Sequence, residues 1–202
     1  MKILFATPHY SEHCTNTYAY SLYNTKWPVG SQVQLVSCMG CGTGKALDNF
    51  AKAAIEGAYD FLCVACDDAG WKPDDVCKLI DDDKDVVSGF SRERFHPFRF
   101  KVFTEIDREN VMFSFQGSIG TGLQRVYSVA GELQVYKVPI FKTMQYPYFQ
   151  GILRPNGEPT TDDFSFGCRA YDAGVEIWVD WDVPLRHIAA GMETDKNGLR
   201  AQ

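Results

Sequence analysis

Apolar runs and amphipathic segments take turns along the first half of the chain. Lys2–Thr7 is a short apolar run stopped by Pro8, which predicts a strand buried on both faces. Thr15–Tyr23 carries Tyr18, Leu22 and Tyr23 on related helical faces, and Gln32–Cys38 alternates through Val33 and Leu35 as a second strand. Lys45–Ala58 repeats Leu47, Phe50, Ala51 and Ala54 at helical spacing, and Phe61–Ala65 is a third apolar strand. Pro73–Asp82 reads as a helix, with proline in its first turn and Asp74 and Asp75 suited to the positive end of the helix dipole. Asp85–Ser88 comes next as a fourth strand. Regular alternation of strand and helix predicts an α/β architecture, a mostly parallel sheet flanked by helices.

The middle of the chain changes character. Phe98–Phe103, Val111–Phe115 and Leu133–Val138 read as strands without long helices between them, a small antiparallel excursion. The pattern then returns to a helix over Asp162–Ala173, closed by Gly174, and to a strand over Val175–Val179 that leads to Arg186-His187. No repeat or low-complexity linker divides the sequence, so a single domain is expected over 1–191, with halves 1–90 and 91–191. The polar segment 192–202 is expected to fray.

The 202 residues suffice for one domain with a sizeable core, and 45% of them are hydrophobic, an ordinary soluble composition. The net charge of −6 argues against a generally basic surface for nucleic acid or anionic membrane. No apolar run approaches the length that spans a bilayer, and Ile3–Ala6 is too short for a signal-peptide core, so a cytoplasmic chain with no membrane partner is expected. Seven scattered cysteines, mostly in apolar segments, do not read as a disulfide framework.

Candidate chemistry begins at Asp67-Asp68, which close the run Phe61–Cys66. Adjacent carboxylates at the end of a buried strand are costly to desolvate unless something positive lies there. In a strand–helix architecture that end is where ligands bind, and a divalent cation carrying phosphates suits it. The same pair could instead cap a strand and open a turn. Thr160-Thr161-Asp162-Asp163 is a helix-start signature; two acids exceed what capping needs, leaving one for a general base. His187 is either structural or a metal ligand.

Cys38–Cys41 and Cys63–Cys66 form two CxxC pairs with the spacing class of a four-cysteine zinc site. The objection is geometric: Cys63 and Cys66 lie three apart on a predicted strand, so their side chains point to opposite faces. The stretch Gly40–Lys45 falls one residue short of a phosphate-binding P-loop, and Ala46 stands where such a loop needs Ser or Thr. Ser91–Lys101 interleaves basic and aromatic residues, either as an amphipathic strand with a basic face or as a stacking-and-phosphate surface.

Taken in order, these segments resemble the GT-A glycosyltransferases, in particular the inverting family-two-like enzymes of the nucleotide-diphospho-sugar transferase superfamily. Ile3–Pro8 resembles the first strand, Ala46–Gly57 with Tyr59–Cys66 resembles the helix and strand before the D-x-D motif, and Asp67–Pro73 resembles the motif and the start of the helix after it. Asp85–Gly89 is similar to the next family strand, Thr161–Ala170 to the acidic pair that opens a helix, and Asp172–Asp180 with His187 completes the order. Aligned on Trp71, the family's first aspartate falls on Cys66.

The resemblance implies a nucleotide-sugar-binding half over 1–90 and an acceptor-binding, catalytic half over 91–191. It implies donor contacts from Thr7, Pro8, Tyr10, Asp67 and Asp68, with Mn²⁺ or Mg²⁺ held by Asp68 and His187. Asp163 becomes the catalytic base, and Trp71, Asp162 and Arg92 become acceptor contacts. The implied activity is transfer of a sugar from a nucleotide-diphosphate donor to a hydroxyl, on a saccharide or on a hydroxylated base of modified DNA. Two other readings stay open: a non-catalytic zinc module built on the CxxC pairs, and a sugar-nucleotide-forming nucleotidyltransferase.

Overall fold

Lys2–His9 (β1) is the strand around which the chain is organised, with Ile3 to Ala6 all almost completely buried. The computed structural model describes residues 1–9, 13–93, 97–107, 109, 112–189, 192–195 and 198–201. After β1 come Asn16–Asn24 (α1), Gln32–Met39 (β2), Thr43–Glu56 (α2), Phe61–Ala65 (β3), Ala69–Gly70 (β4), Asp75–Asp81 (α3) and Val86–Phe90 (β5). The middle holds Val102–Asp107 (β6), Met112–Phe115 (β7), Leu123–Val126 (β8), Ser128–Val129 (β9) and Leu133–Lys137 (β10). The chain ends with Asp162–Ala173 (α4), Ile177–Pro184 (β11), Arg186–Ala189 (β12), Met192–Asp195 (β13) and Gly198–Ala201 (β14).

The central sheet runs β2-β1-β3-β10-β5-β11-β8. β1 pairs in parallel with β2 and β3, and β5 with β11, while β10 and β8 run against their neighbours. The mixed, mostly parallel α/β sheet flanked by helices is therefore the fold. Alternation along β1 splits the core: Leu4 and Ala6 pack with α2 and α4, and Ile3 and Phe5 with α1 and α3. The antiparallel excursion exists as the sheet β7-β6-β9.

The antiparallel β10 has a consequence for chemistry. Its first residue pairs with Ala65, the last of β3, so the turn that enters β10 arrives where β3 ends. A second device anchors the segment before α4. Asp48, buried on α2, accepts hydrogen bonds from the backbone N–H groups of Tyr148 (2.7 Å) and Phe149 (3.0 Å) and from Gln150 Nε2 (2.8 Å).

Three expectations need correction. The strand expected over Phe98–Phe103 begins only at Val102, because Phe98 adopts φ 56° and turns the chain first. The strand expected from Val175 starts at Ile177 and continues to Pro184. The segment expected to fray instead adds β13 and β14 to a sheet with β12 and β4, its polarity being compatible with a hairpin whose backbone bonds are made strand to strand. Among the described residues, no helix is long and apolar enough to cross a membrane.

Candidate active site

The ends of β1 and β3, the start of β10, the start of α4 and one residue of β12 converge on one cleft. Cys66, directly after β3, donates its backbone N–H to Glu132 O (3.1 Å), which joins the β3 exit to the β10 entrance. Asp67 turns aside: its carboxylate meets His9 Nδ1 at 3.2 Å, and its carbonyl accepts from Thr15 N–H and Thr15 Oγ1, fixing the start of α1. Asp68 stays in the cleft. Ile188 N–H donates to Asp68 O (3.0 Å), and β4 pairs with β12 so that Ala69 faces His187. That pairing sets His187 Nε2 3.6 Å from Asp68 Oδ2.

The other face of His187 meets acceptors. Its Nδ1 lies 3.3 Å from Glu132 Oε1 and 3.4 Å from Arg92 O. Both are acceptors, so Nδ1 is the nitrogen that donates to them, and Nε2 is the one turned towards Asp68. Glu132 is almost fully buried; Ser91 Oγ donates to its Oε2 (2.6 Å), and Lys101 Nζ pairs with its Oε1. Burial alone disfavours the Glu132 carboxylate, but Lys101 and then His187 outweigh it and bring its pKa down to about 2.

Asp162 and Asp163 open α4 as expected, yet the capping is different. Thr161 is the N-cap and makes no side-chain cap bond, while the Asp162 carboxylate accepts from the backbone at the helix start. Ser128 Oγ donates to Asp163 O (2.8 Å), and Gly131 N–H donates to the Asp163 carboxylate. Further along α4, a Cβ on Gly167 would stand 2.7 Å from Tyr127 O, so the helix approaches β9 this closely only with glycine there. Burial, then the neighbouring Asp162 charge, push the Asp163 carboxyl well above the usual range, with Lys101 opposing them. Such a carboxyl holds a proton more tightly than a free one, which is what a general base requires.

Pro8, Cys66, Asp68, Lys101, Asp163 and His187 are among the residues lining the cleft. A second pocket adjoins it, sharing Pro8 and Thr43, and is lined also by His9, Cys38, Cys41 and Ala46. At the position of the missing aspartate, the Cys66 thiol donates to Gly131 O (3.2 Å); burial and the Glu132 charge push its pKa well up, so it adds no negative charge.

Of the residues expected from sequence, Pro8, Asp68, Asp162, Asp163 and His187 meet in the cleft. Thr7 does not: its hydroxyl is buried against Tyr18 Oη at 2.6 Å, facing α1. Asp67 is likewise turned away, its side chain on His9 and its carbonyl on α1. Trp71 is a core residue, packed on Phe5 and Tyr18 with its indole N–H on Thr25 Oγ1, which removes it from the acceptor set. Arg92 stacks its guanidinium over Phe100 at 4.2 Å and donates to Phe98 O, so only its main chain reaches the cleft. Tyr10 lies outside the described residues.

The basic-aromatic segment is also committed internally, with Arg99 paired to Glu93 and laid over Phe115, and Lys101 paired to Glu132. The four-cysteine arrangement is not assembled: Cys63 is in the core, Cys66 is in the cleft, and Cys38 and Cys41 pair with each other. Among the described residues, no group of three or more His, Cys, Asp and Glu side chains could hold a metal by itself.

Sequence reasoning missed Glu132 and His9, and read Ser91 and Lys101 only as the ends of a basic-aromatic segment. Glu132 carried a readable signal, a lone acid opening the strand-like stretch Leu133–Val138 just as Asp67-Asp68 close Phe61–Cys66.

No family model matches the sequence, and neither does any curated protein. Solved structures do match. A197 from STIV superimposes with a TM-score of 0.68 at 14% identity, covering 100% of this chain and 94% of that one. The S. aureus TarS 1–349 structure in complex with UDP-GlcNAc gives a TM-score of 0.50 at 15% identity, covering 90% of this chain and 56% of that one. A CMP:2-keto-3-deoxy-manno-octonic acid synthetase complexed with CTP is more distant, at 0.46 and 11% identity over 89% of each chain. The chain shares its fold with A197 from STIV and, over most of its length, with the TarS domain.

Proposed function

We propose that this chain is a metal-dependent, inverting glycosyltransferase that moves a sugar from a nucleotide-diphosphate donor to an acceptor hydroxyl. One observation carries the reading: Asp163, a buried carboxyl raised well above its usual range, shares a cleft with the converging pair Asp68 Oδ2 and His187 Nε2. The TarS structure with the same fold holds UDP-GlcNAc, which supports a nucleotide sugar as donor.

The donor lies across the ends of β1 and β2, where Pro8 joins the two pockets. Asp68 and His187 fit Mn²⁺ or Mg²⁺, because Glu132 orients the imidazole so that Nε2 faces the Asp68 carboxylate. The cation, when bound, neutralises charge developing on the leaving diphosphate. Asp163 receives the proton of the attacking hydroxyl, and the Asp162 charge beside it keeps its proton affinity high. Lys101 balances the carboxylates so that the cleft can admit an anionic donor.

A saccharide is the favoured acceptor. The described cations of Arg92–Lys101 are engaged within the protein, which weighs against that segment as a binding surface for modified DNA. Release of nucleoside diphosphate from a panel of nucleotide sugars with Mn²⁺ tests the reading. Asp163→Asn is expected to abolish transfer and keep donor binding; transfer at near-normal rate removes Asp163 from its role. Pyrophosphate release from a nucleoside triphosphate and a sugar phosphate, without any transfer, replaces the reading with a nucleotidyltransferase.

A further inference from the structure

Cys38, next to last in β2, lies opposite Pro8 of β1, at the rim of the pocket next to the candidate cleft. Gly40 (φ 79°) and Gly42 (φ 72°) turn the chain back between β2 and α2 in a conformation other residues rarely adopt. The turn brings Cys41 Sγ to 2.8 Å from Cys38 Sγ. That is only a short approach from the ~2.05 Å of a disulfide bond. Both side chains are half-buried and line a pocket, whereas Cys63 and Cys168 are sealed in the interior and Cys66 is held by Gly131 O. The contact with Cys41, ahead of burial, raises the Cys38 thiol above its usual value. Two thiolates leave half of a tetrahedral zinc shell unfilled, and no third ligand is gathered with them among the described residues.

We propose that Cys38 and Cys41 form a reversible dithiol–disulfide site in the wall of the donor pocket, with small-molecule disulfides as its reaction partner. One thiol, as its thiolate, attacks the small disulfide, forming a mixed disulfide and expelling one small thiolate. The second protein thiolate attacks the protein sulfur of that mixed disulfide, closing Cys38–Cys41 and expelling the second small thiolate. The two protons lost by the cysteines end on the two released thiols, and the two electrons lost by the protein reduce the small disulfide. The new bond holds the Met39–Gly42 turn against Pro8, so the oxidised protein presents a pre-formed pocket wall to the nucleotide. This last consequence rests on the proposed donor site; the cross-link does not.

The test equilibrates the whole purified protein in glutathione buffers of graded oxidised fraction, followed by acid quench, alkylation and peptide mass mapping. The expected result is paired loss of alkylation at Cys38 and Cys41, with their shared peptide two hydrogens lighter. Cys14→Ser leaves this unchanged, and Cys41→Ser gives a glutathione adduct at Cys38 instead. Both thiols remaining alkylatable in the most oxidising buffer, a bond to any other cysteine, or zinc co-purifying with the pair overturns the proposal. UDP binding with Mn²⁺ is then measured on both redox forms, with the oxidised form expected to bind roughly 3–10-fold tighter through pre-organisation. Equal affinity overturns the link to the donor pocket. No UDP binding by either form, with the cross-link intact, overturns the donor reading and leaves the redox site standing.

Discussion

Glu132 accepts from His187 on the ring nitrogen that faces away from Asp68: its Oε1 lies 3.3 Å from Nδ1, and Asp68 Oδ2 lies 3.6 Å from Nε2. A carboxylate behind a metal-ligating imidazole fixes the tautomer and raises ligand basicity. Glu132→Gln keeps the size and an acceptor oxygen but removes the charge. Its Mn²⁺ affinity is expected to fall about 10–100-fold. Free Mn²⁺ measured by electron paramagnetic resonance checks this without reference to turnover. Ser91→Ala, which removes only the hydroxyl on Oε2, is the comparison, because it perturbs Glu132 without touching the imidazole side. Unchanged Mn²⁺ affinity in Glu132→Gln would leave Glu132 with a structural role alone.

In the proposed mechanism Asp163 sets the pH dependence of transfer. Its folded pKa is raised, first by burial and then by Asp162, so the carboxyl is protonated and inactive at low pH and gains base function as pH rises through that value. The rate of transfer is expected to show this ascending limb. Asp162→Asn removes a like charge, lowers the Asp163 pKa, and moves the limb to lower pH. Profiles of kcat/KM for both proteins decide it; a limb that stays in place or moves up contradicts the coupling.

Donor and cation are expected to protect the fold together. With a nucleotide sugar at about 100 times its Kd and Mn²⁺ present, linkage predicts about 2.7 kcal/mol of added stability. For a chain of this size that is a rise of roughly 5–10 °C in Tm. Asp68→Asn or His187→Ala should remove the Mn²⁺-dependent part while leaving the Tm without ligand close to wild type for Asp68→Asn, whose carbonyl contact to Ile188 is a backbone bond. Full protection in both variants places the cation elsewhere.

Much of the fold was legible in the sequence where a local pattern and its chemistry coincide. The apolar runs of β1, β3 and β5 and the periodic faces of α2 and α4 fix the sheet and its covering helices. Asp163 and Asp68 stand at element ends, where the fold class brings ligands. What could not be read was strand order. Only the insertion of antiparallel β10 between β3 and β5 brings Glu132 to Cys66, and only the β4–β12 pairing brings His187 to Asp68. Trp71 and Thr7 were misread for a related reason: alternation along a strand or turn leaves unresolved which of two faces meets solvent, and both face the α1 side.

Asp48 gives a prediction about how α4 is held. Its Oδ1 accepts from two backbone N–H groups, Tyr148 and Phe149, and its Oδ2 from Gln150 Nε2, all at a position with no solvent exposure. Asp48→Ala leaves the two backbone donors buried without a partner, at a cost of about 1–3 kcal/mol each. Asp48→Asn retains an acceptor oxygen for both N–H groups and lets the Gln150 amide turn its oxygen towards the new NH₂, so it is expected to cost much less. Urea unfolding should show a lower midpoint for Asp48→Ala with little change in slope, and an intermediate midpoint for Asp48→Asn. Because the anchored segment leads into α4, Asp48→Ala should also lower transfer more than its stability loss explains at temperatures where it is fully folded. A stability within about 0.5 kcal/mol of wild type would mean that water or a shifted loop satisfies those donors, and that α4 is held by its packing on β9 alone.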